Sequence, residues 1–110
     1  MKDQLTIVIP CKNEKDNIYE CISFIAKQNG IAGTTIIIAD VSDESISLQF
    51  LEYVKRDFKY SLDIQIIKGG FPAKARLEGS KLVTTPYILF LDADIMLQDK
   101  FVLGKCLLYN

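Results

Sequence analysis

This chain of 110 residues contains no histidine. That absence removes the usual general base, the Ser-His-Asp and Cys-His nucleophile systems, and His-ligated zinc. The three cysteines, Cys11, Cys21 and Cys106, are widely scattered and have no C-x-x-C spacing. They suit reduced thiols in a cytosolic protein better than a disulfide framework. An excess of positive charge is missing too: 13 Lys and Arg stand against 14 Asp and Glu, for a net charge of −1. Without a basic footprint, nucleic acid is not expected as a partner. No apolar run approaches the roughly 18 residues of a membrane span, and the chain opens almost directly into a strand, with no visible signal peptide. Neither G-x-G-x-x-G nor G-x-x-x-x-G-K-[ST] occurs, so the dinucleotide fingerprint and the P-loop both fail. Chemistry here must rest on carboxylates, a metal, or residues outside this segment.

What is present is a set of short apolar runs separated by helix-period segments. Leu5 to Pro10 reads as a first strand. From Asn13 the period changes, with Ile18, Cys21, Ile22, Ile25 and Ala26 falling on one face of a helix. Asn13 is the expected N-cap, with Glu14 and Asp16 in the first turn, and the helix is expected to end near Gly30. Thr34 to Ala39 reads as a second strand. A second helix follows, with Leu48, Leu51, Val54 and Phe58 inward. Asp63 to Lys68 reads as a third strand, with Ile64 and Ile66 on one face. Pro72 suits the first turn of a third helix, and Ala75, Gly79 and Leu82 mark a face for close packing. Tyr87 to Leu91 is an apolar run expected to form a fourth strand, buried on both faces. The order β-α-β-α-β-α-β, with short connections, predicts one α/β domain over residues 1–110 built on a doubly wound, mostly parallel sheet with helices on both faces. Asp99 to Asn110 begins another helix, with Phe101, Val102, Cys106 and Leu107, and stops without a cap. The chain is therefore expected to be a piece of a longer protein.

The carboxyl ends of the strands carry the polar residues. In open α/β sheets that is the edge where ligands bind. Asp92 and Asp94 follow the fourth strand. Two like charges about 5 Å apart repel by roughly 3 kcal/mol at an effective dielectric of about 20, so a buried pair would recruit a cation or raise one pKa. A hard divalent ion held by one or two carboxylates shares its other positions with water and substrate phosphates. The alternative is a pair of solvated loop acids, one capping the next turn. Asp40 and Ser42 follow the second strand. Asp40 suits either a base or ribose contact or a helix cap, and Ser42 suits a cap. Lys74 and Arg76 open the third helix, where they would either reach a diphosphate or form a solvated face.

Together these loops resemble the nucleotide-binding half of a family 2 glycosyltransferase. Leu5-Thr6-Ile7-Val8-Ile9-Pro10-Cys11-Lys12-Asn13-Glu14 resembles the family's first strand and its Pro-x-x-Asn-Glu loop. Ile37-Ile38-Ala39-Asp40-Val41-Ser42 stands where the family has a strand followed by Asp-Asp-Gly-Ser. Gly70 through Ala75-Arg76-Leu77-Glu78-Gly79 resembles Gly-x-x-x-Ala-Arg-Asn-x-Gly. Tyr87 to Asp94 resembles the strand that ends in Asp-x-Asp.

The resemblance implies a Rossmann-like GT-A fold whose C-terminal half is absent, and sugar transfer with inversion from a nucleoside-diphosphate sugar, a UDP-sugar by preference. The acceptor would be a glycan or lipid-linked hydroxyl, and Mn²⁺ or Mg²⁺ the cofactor. Asp40 and Ser42 would line the base. Pro10, Cys11, Asn13 and Glu14 would form the opposite wall. Asp92 would lie by the ribose, Asp94 on the metal, and Arg76 by the phosphates. The catalytic base would lie beyond residue 110, and the setting would be cytoplasmic, at the inner face of the membrane for a longer chain. The chain departs from the pattern at Ala39, Val41 and Leu77. A β-branched residue disfavours the positive φ open to glycine, so the loop after the second strand must turn differently. A sugar-nucleotidyltransferase would open on a Gly-rich loop, and a phospho-receiver domain on an acid pair; Pro10-Cys11-Lys12-Asn13 supplies neither. A non-catalytic nucleotide-binding or assembly domain and a sugar-nucleotidyltransferase are the alternatives kept open.

Overall fold

The computed structural model describes residues 1–40, 45–68 and 72–108, without the side chains of 15, 45–48, 72, 73, 75 and 76. Strands and helices alternate along the chain as β1 (Leu5–Cys11), α1 (Lys15–Ala26), β2 (Thr34–Asp40), α2 (Ser45–Phe58), β3 (Leu62–Lys68), α3 (Pro72–Ser80), β4 (Tyr87–Phe90) and α4 (Val102–Leu108). The strands form one sheet in the order β3-β2-β1-β4, and every pairing is parallel.

Alternation along the central strands assigns their side chains to two faces. Ile7, Ile9 and Cys11 of β1 join Ile36 and Ile38 of β2 and Ile64 of β3 in the main core. Ile18, Cys21, Ile22 and Ile25 of α1, with Leu51 and Val54 of α2, cover that face. Burying each large aliphatic side chain contributes about 1.5–3 kcal/mol relative to exposure. Val8, Ile37 and Ala39, also buried, point to the other face, where α3 packs on β1 and β2. The expectation of helices on both faces holds.

Four local expectations need correction. Asn13 is not the N-cap: it takes a positive φ of 54°, a conformation asparagine tolerates better than most residues. Glu14 occupies the cap position without a side-chain cap bond. Helix α1 ends at Ala26, before Gly30, as the chain turns and the buried Gln28 side chain reaches into the next layer. Leu82 lies beyond the end of α3 and is exposed, whereas Gly79 makes the close contact; the Ala75 side chain lies outside the described residues. In the last segment Phe101 precedes α4 and is exposed, Cys106 is exposed, and Leu103 is the buried residue. The Leu103 N–H donates to the Gln28 side-chain oxygen at 3.1 Å, and that bond sets which side of α4 faces the core.

The largest departure concerns β4. Its apolar run reads as a central strand, yet Tyr87, Ile88 and Phe90 are about 40% exposed, at 39%, 40% and 42%. Among the described residues β4 pairs with β1 alone and forms the sheet edge. An apolar run reports that a strand suits burial; it does not report what covers it.

Candidate functional site

The chain lays β2 and β3 to one side of β1 and then places β4 on the other. The winding direction reverses between β1 and β4, and a crevice forms outside the carboxyl ends of two strands whose connections diverge. The loop after β1 and the turn after β4 are the walls of that crevice.

On the β1 side, Pro10 is half-buried, Cys11 buried, Lys12 and Asn13 exposed, and Glu14 half-buried. The Glu14 carboxylate accepts from the Asn17 amide at 2.9 Å, while its carbonyl accepts from the Asn17 and Ile18 N–H groups. These bonds fix the start of α1 despite the missing cap. Cys11 is in register with Asp40 across the β1–β2 pair. Burial and then the Asp40 charge push the Cys11 thiol up to about 11, against the Glu14 N–H, which favours the thiolate. Asp40 is itself buried, at 5% exposure. The second strand thus delivers a carboxylate beside the β1 loop.

On the β4 side the alternation persists beyond the strand. Leu91 and Ala93 are buried, and Asp92 and Asp94 are exposed. The Leu91 N–H donates to the Val8 carbonyl at 3.0 Å, and the Ile95 N–H closes a turn on the Asp92 carbonyl at 3.0 Å. Both carboxylates are therefore presented outward by a turn pinned to β1.

The exposed oxygen donors of Asp92 and Asp94 are of the kind that suits a hard cation such as Mg²⁺ or Mn²⁺. Among the described residues no group of three or more His, Cys, Asp or Glu side chains is placed to hold a metal ion. One or two exposed carboxylates are what a magnesium-like ion shared with phosphates requires. Lys74, in the first turn of α3, is exposed at this same end of the sheet. The Arg76 side chain and Ser42 lie outside the described residues.

Two cavities lie at the opposite end. One of about 240 Å³ is lined by Lys55, Lys59, Tyr60 and Asp63, and one of about 470 Å³ by Lys27, Gln28, Tyr60, Lys100 and Phe101. Lys27 caps α1 and Lys55 stands in the last turn of α2, where helix dipoles favour cations. Their charge is accounted for by the helix ends and carries no ligand argument.

Two contributors to the site have no sequence motif. Cys21 reaches the Asp92 carbonyl from α1, at 3.9 Å from sulfur to oxygen. Gln28 donates to the Asp99 and Leu97 carbonyls at 2.7 and 3.4 Å, clasping the segment after the Asp92–Asp94 turn. The alternation that buries Ala93 was available in the sequence; a long-range amide clasp was not.

A parallel α/β sheet with a crevice at its switch point, walled by the Pro10–Glu14 loop and the Asp92–Asp94 turn, is the open α/β class of fold in which ligands bind outside the carboxyl ends of the strands. The model of glycosyl transferase family 2 matches residues 6–109, and the chain belongs to that family. Poly-beta-1,6-N-acetyl-D-glucosamine synthase of Staphylococcus epidermidis is 28% identical over 96 residues, which are 86% of this chain and 23% of that protein. Poly(ribitol-phosphate) beta-glucosyltransferase of Bacillus spizizenii is 30% identical over 93 residues, 83% of this chain and 15% of that protein. The crystal structure of S. aureus TarS 1–349 in complex with UDP superposes with a TM-score of 0.75 at 24% identity, over 96% of this chain and 31% of that one. Its complex with UDP-GlcNAc gives a TM-score of 0.75 at 24% identity, over 96% and 30%. This likeness establishes the GT-A-like fold. The chain spans less than a third of the length of these relatives.

Proposed function

We propose that this chain forms the donor-binding part of a glycosyltransferase and holds a nucleoside-diphosphate sugar, a UDP-sugar by preference, in the crevice between β1 and β4. Transfer would run with inversion to a hydroxyl of a glycan or lipid-linked acceptor. The observation that carries the reading is the placement of the Asp92–Asp94 turn beside the Pro10–Glu14 loop at the switch point, with Asp40 next to Cys11. Membership of family 2 supports it, as do the sugar polymers named for the relatives and the UDP and UDP-GlcNAc named in the TarS complexes.

The residues divide the task by chemistry. The Asp40 carboxylate accepts from the imide N–H of the base, and Ser42, outside the described residues, is assigned to the same base. Pro10, Cys11, Asn13 and Glu14 line the facing wall. Asp92 accepts from ribose hydroxyls. Asp94, exposed and oxygen-bearing, would hold Mn²⁺ or Mg²⁺, and Arg76, whose side chain lies outside the described residues, is assigned to the phosphates. Bound there, the ion supplies neutralisation of the charge that builds on the departing diphosphate.

Calorimetric titration of UDP, GDP, CDP and dTDP, with and without Mn²⁺, tests the reading on this chain and on Asp94→Asn. The expected result is Mn²⁺-dependent binding of UDP above the others, with the variant losing about tenfold in affinity, or roughly 1.4 kcal/mol. A well-folded chain that binds none of the four would refute it.

A further inference from the structure

The Asp92 carbonyl accepts two hydrogen bonds from different parts of the chain. The Ile95 N–H, 3.0 Å away, closes the turn that carries Asp94. The Cys21 thiol, 3.9 Å away, approaches from the middle of α1. A thiol is a weak donor, so the contact adds direction more than strength. Cys21 has no exposed surface. Burial first, and then the charges of Cys11 and Asp94, push its thiol up to about 12, so the proton it donates is retained at neutral pH.

The position of this contact matters more than its energy. Helix α1 begins immediately after the Pro10–Glu14 loop. A bond from α1 to the Asp92 carbonyl therefore joins the two walls of the crevice. Three of the bonds that hold the turn are Leu91 N–H on Val8 of β1, Ile95 N–H within the turn, and Cys21 on α1. Ala93, 2% exposed, fills the space between. The first two bonds fix the shape of the turn, and the third fixes its angle to the opposite wall.

We infer that Cys21 is a positioning residue for the Asp92–Asp94 turn, tying α1 to the Asp92 carbonyl and so setting the direction in which the two carboxylates face a diphosphate and its cation. The inference rests on the donor-site reading for its consequence, but the strut itself is testable without nucleotide.

Amide hydrogen exchange at Ile95 and UDP titration with and without Mn²⁺ should be measured on the unmodified chain, Cys21→Ala, Cys21→Ser and Cys21→Val. Alanine and valine both remove the donor and bracket cysteine in volume, alanine being smaller and valine larger by about a methyl group; serine keeps a donor. Expected in the alanine and valine variants is exchange at Ile95 about fivefold faster, with Ile7 and Ile36 unchanged. The Mn²⁺-dependent part of UDP affinity should fall by about the same factor while metal-free affinity holds, and serine should restore both. Unchanged exchange at Ile95 in the valine variant, or a serine variant no better than valine, would overturn the inference. If the unmodified chain binds no nucleotide, the donor-site reading fails by itself, and the exchange comparison still decides whether Cys21 holds the turn. A variant that loosens every amide equally would show a purely structural role and also count against it.

Discussion

Gly79 of α3 packs so closely on β1 that a methyl group at its Cα would lie 2.5 Å from Val8 Cγ1. Val8 is β-branched and stiff at χ1, and its carbonyl accepts the Leu91 N–H that leads into the Asp92–Asp94 turn. The contact thus lies one layer behind the candidate site. Gly79→Ala is expected to destabilise the fold: overpacking costs about 1–3 kcal/mol, offset by up to about 1 kcal/mol of helix propensity. Urea denaturation should show a net loss of roughly 1–2 kcal/mol. Adding Val8→Ala to that variant should cost less than the sum of the two single changes, because the clash disappears. Strict additivity would show that the two do not meet.

Asp40 and Asp94 stand on different walls and should fail differently. Asp40→Asn replaces an acceptor-only carboxylate with an amide that also donates. UDP affinity is expected to drop about tenfold both with and without Mn²⁺, since the lost contact is to the base. Asp94→Asn should remove only the Mn²⁺-dependent part. Titrations that show the same pattern in both variants would contradict the division of roles between the two strand ends.

The strand and helix order was legible because periodicity reports burial directly. Ile7, Ile9, Ile36 and Ile38 alternate, while Ile18, Cys21, Ile22 and Ile25 recur at helical spacing, and all are buried. The carboxyl-end placement of Asp40, Asp92 and Asp94 followed from that order. What was not legible depended on the neighbours of an element. Tyr87, Ile88 and Phe90 form a run whose composition cannot tell a central strand from an apolar edge. Asn13 stands one position before the cap, and the sequence does not separate the two places because a left-handed φ and a capping role favour the same residue types. Gln28, more than 65 residues away in sequence from the segment it clasps, carries no motif or periodicity that marks this contact.

The three cysteines should separate by reactivity. Cys106 is exposed, and Cys11 and Cys21 are buried. Since the thiolate is the reactive form, a maleimide or disulfide reagent at neutral pH is expected to modify Cys106 alone, with all three reacting in denaturant. Mass spectrometry counts the additions. Labelling of Cys11 in the native chain would show the β1 loop to be far more open than its burial indicates.

The same two thiols give stability a dependence on alkaline pH. Burial raises Cys11 from 9.0 to about 11 and Cys21 from 9.0 to about 12. The folded state therefore holds these protons more tightly than the unfolded state, and their contribution is fully present below about pH 9 and lost as pH rises toward 11 and 12. Unfolding midpoints should be flat in this respect from pH 7 to 8.5 and fall beyond 9. Cys11→Ala should fall less steeply above pH 9 than the unmodified chain. Parallel curves would mean that Cys11 titrates alike in both states.

Gln28 offers the sharpest test of how the segment after the Asp92–Asp94 turn is held. Its amide nitrogen donates to the Asp99 and Leu97 carbonyls and its oxygen accepts from the Leu103 N–H, so the side chain must both give and take. Gln28→Ala leaves those backbone groups unmatched in a buried place, at a cost of about 2–4 kcal/mol for the set. Gln28→Glu keeps the shape and the acceptor but, when ionised, faces two carbonyl oxygens. Its folded pKa is then raised above the unfolded value near 4.3, so the relative stability of this variant is present in acid and lost as pH rises through the folded pKa. Denaturation of the glutamate variant beside the unmodified chain should show a small gap at about pH 4 and a wide one at pH 7. A gap independent of pH would mean that the side chain does not donate to those carbonyls. The segment would then have to be held by the Asn29 N–H on the Lys100 carbonyl, at 2.7 Å, and by the packing of Leu103.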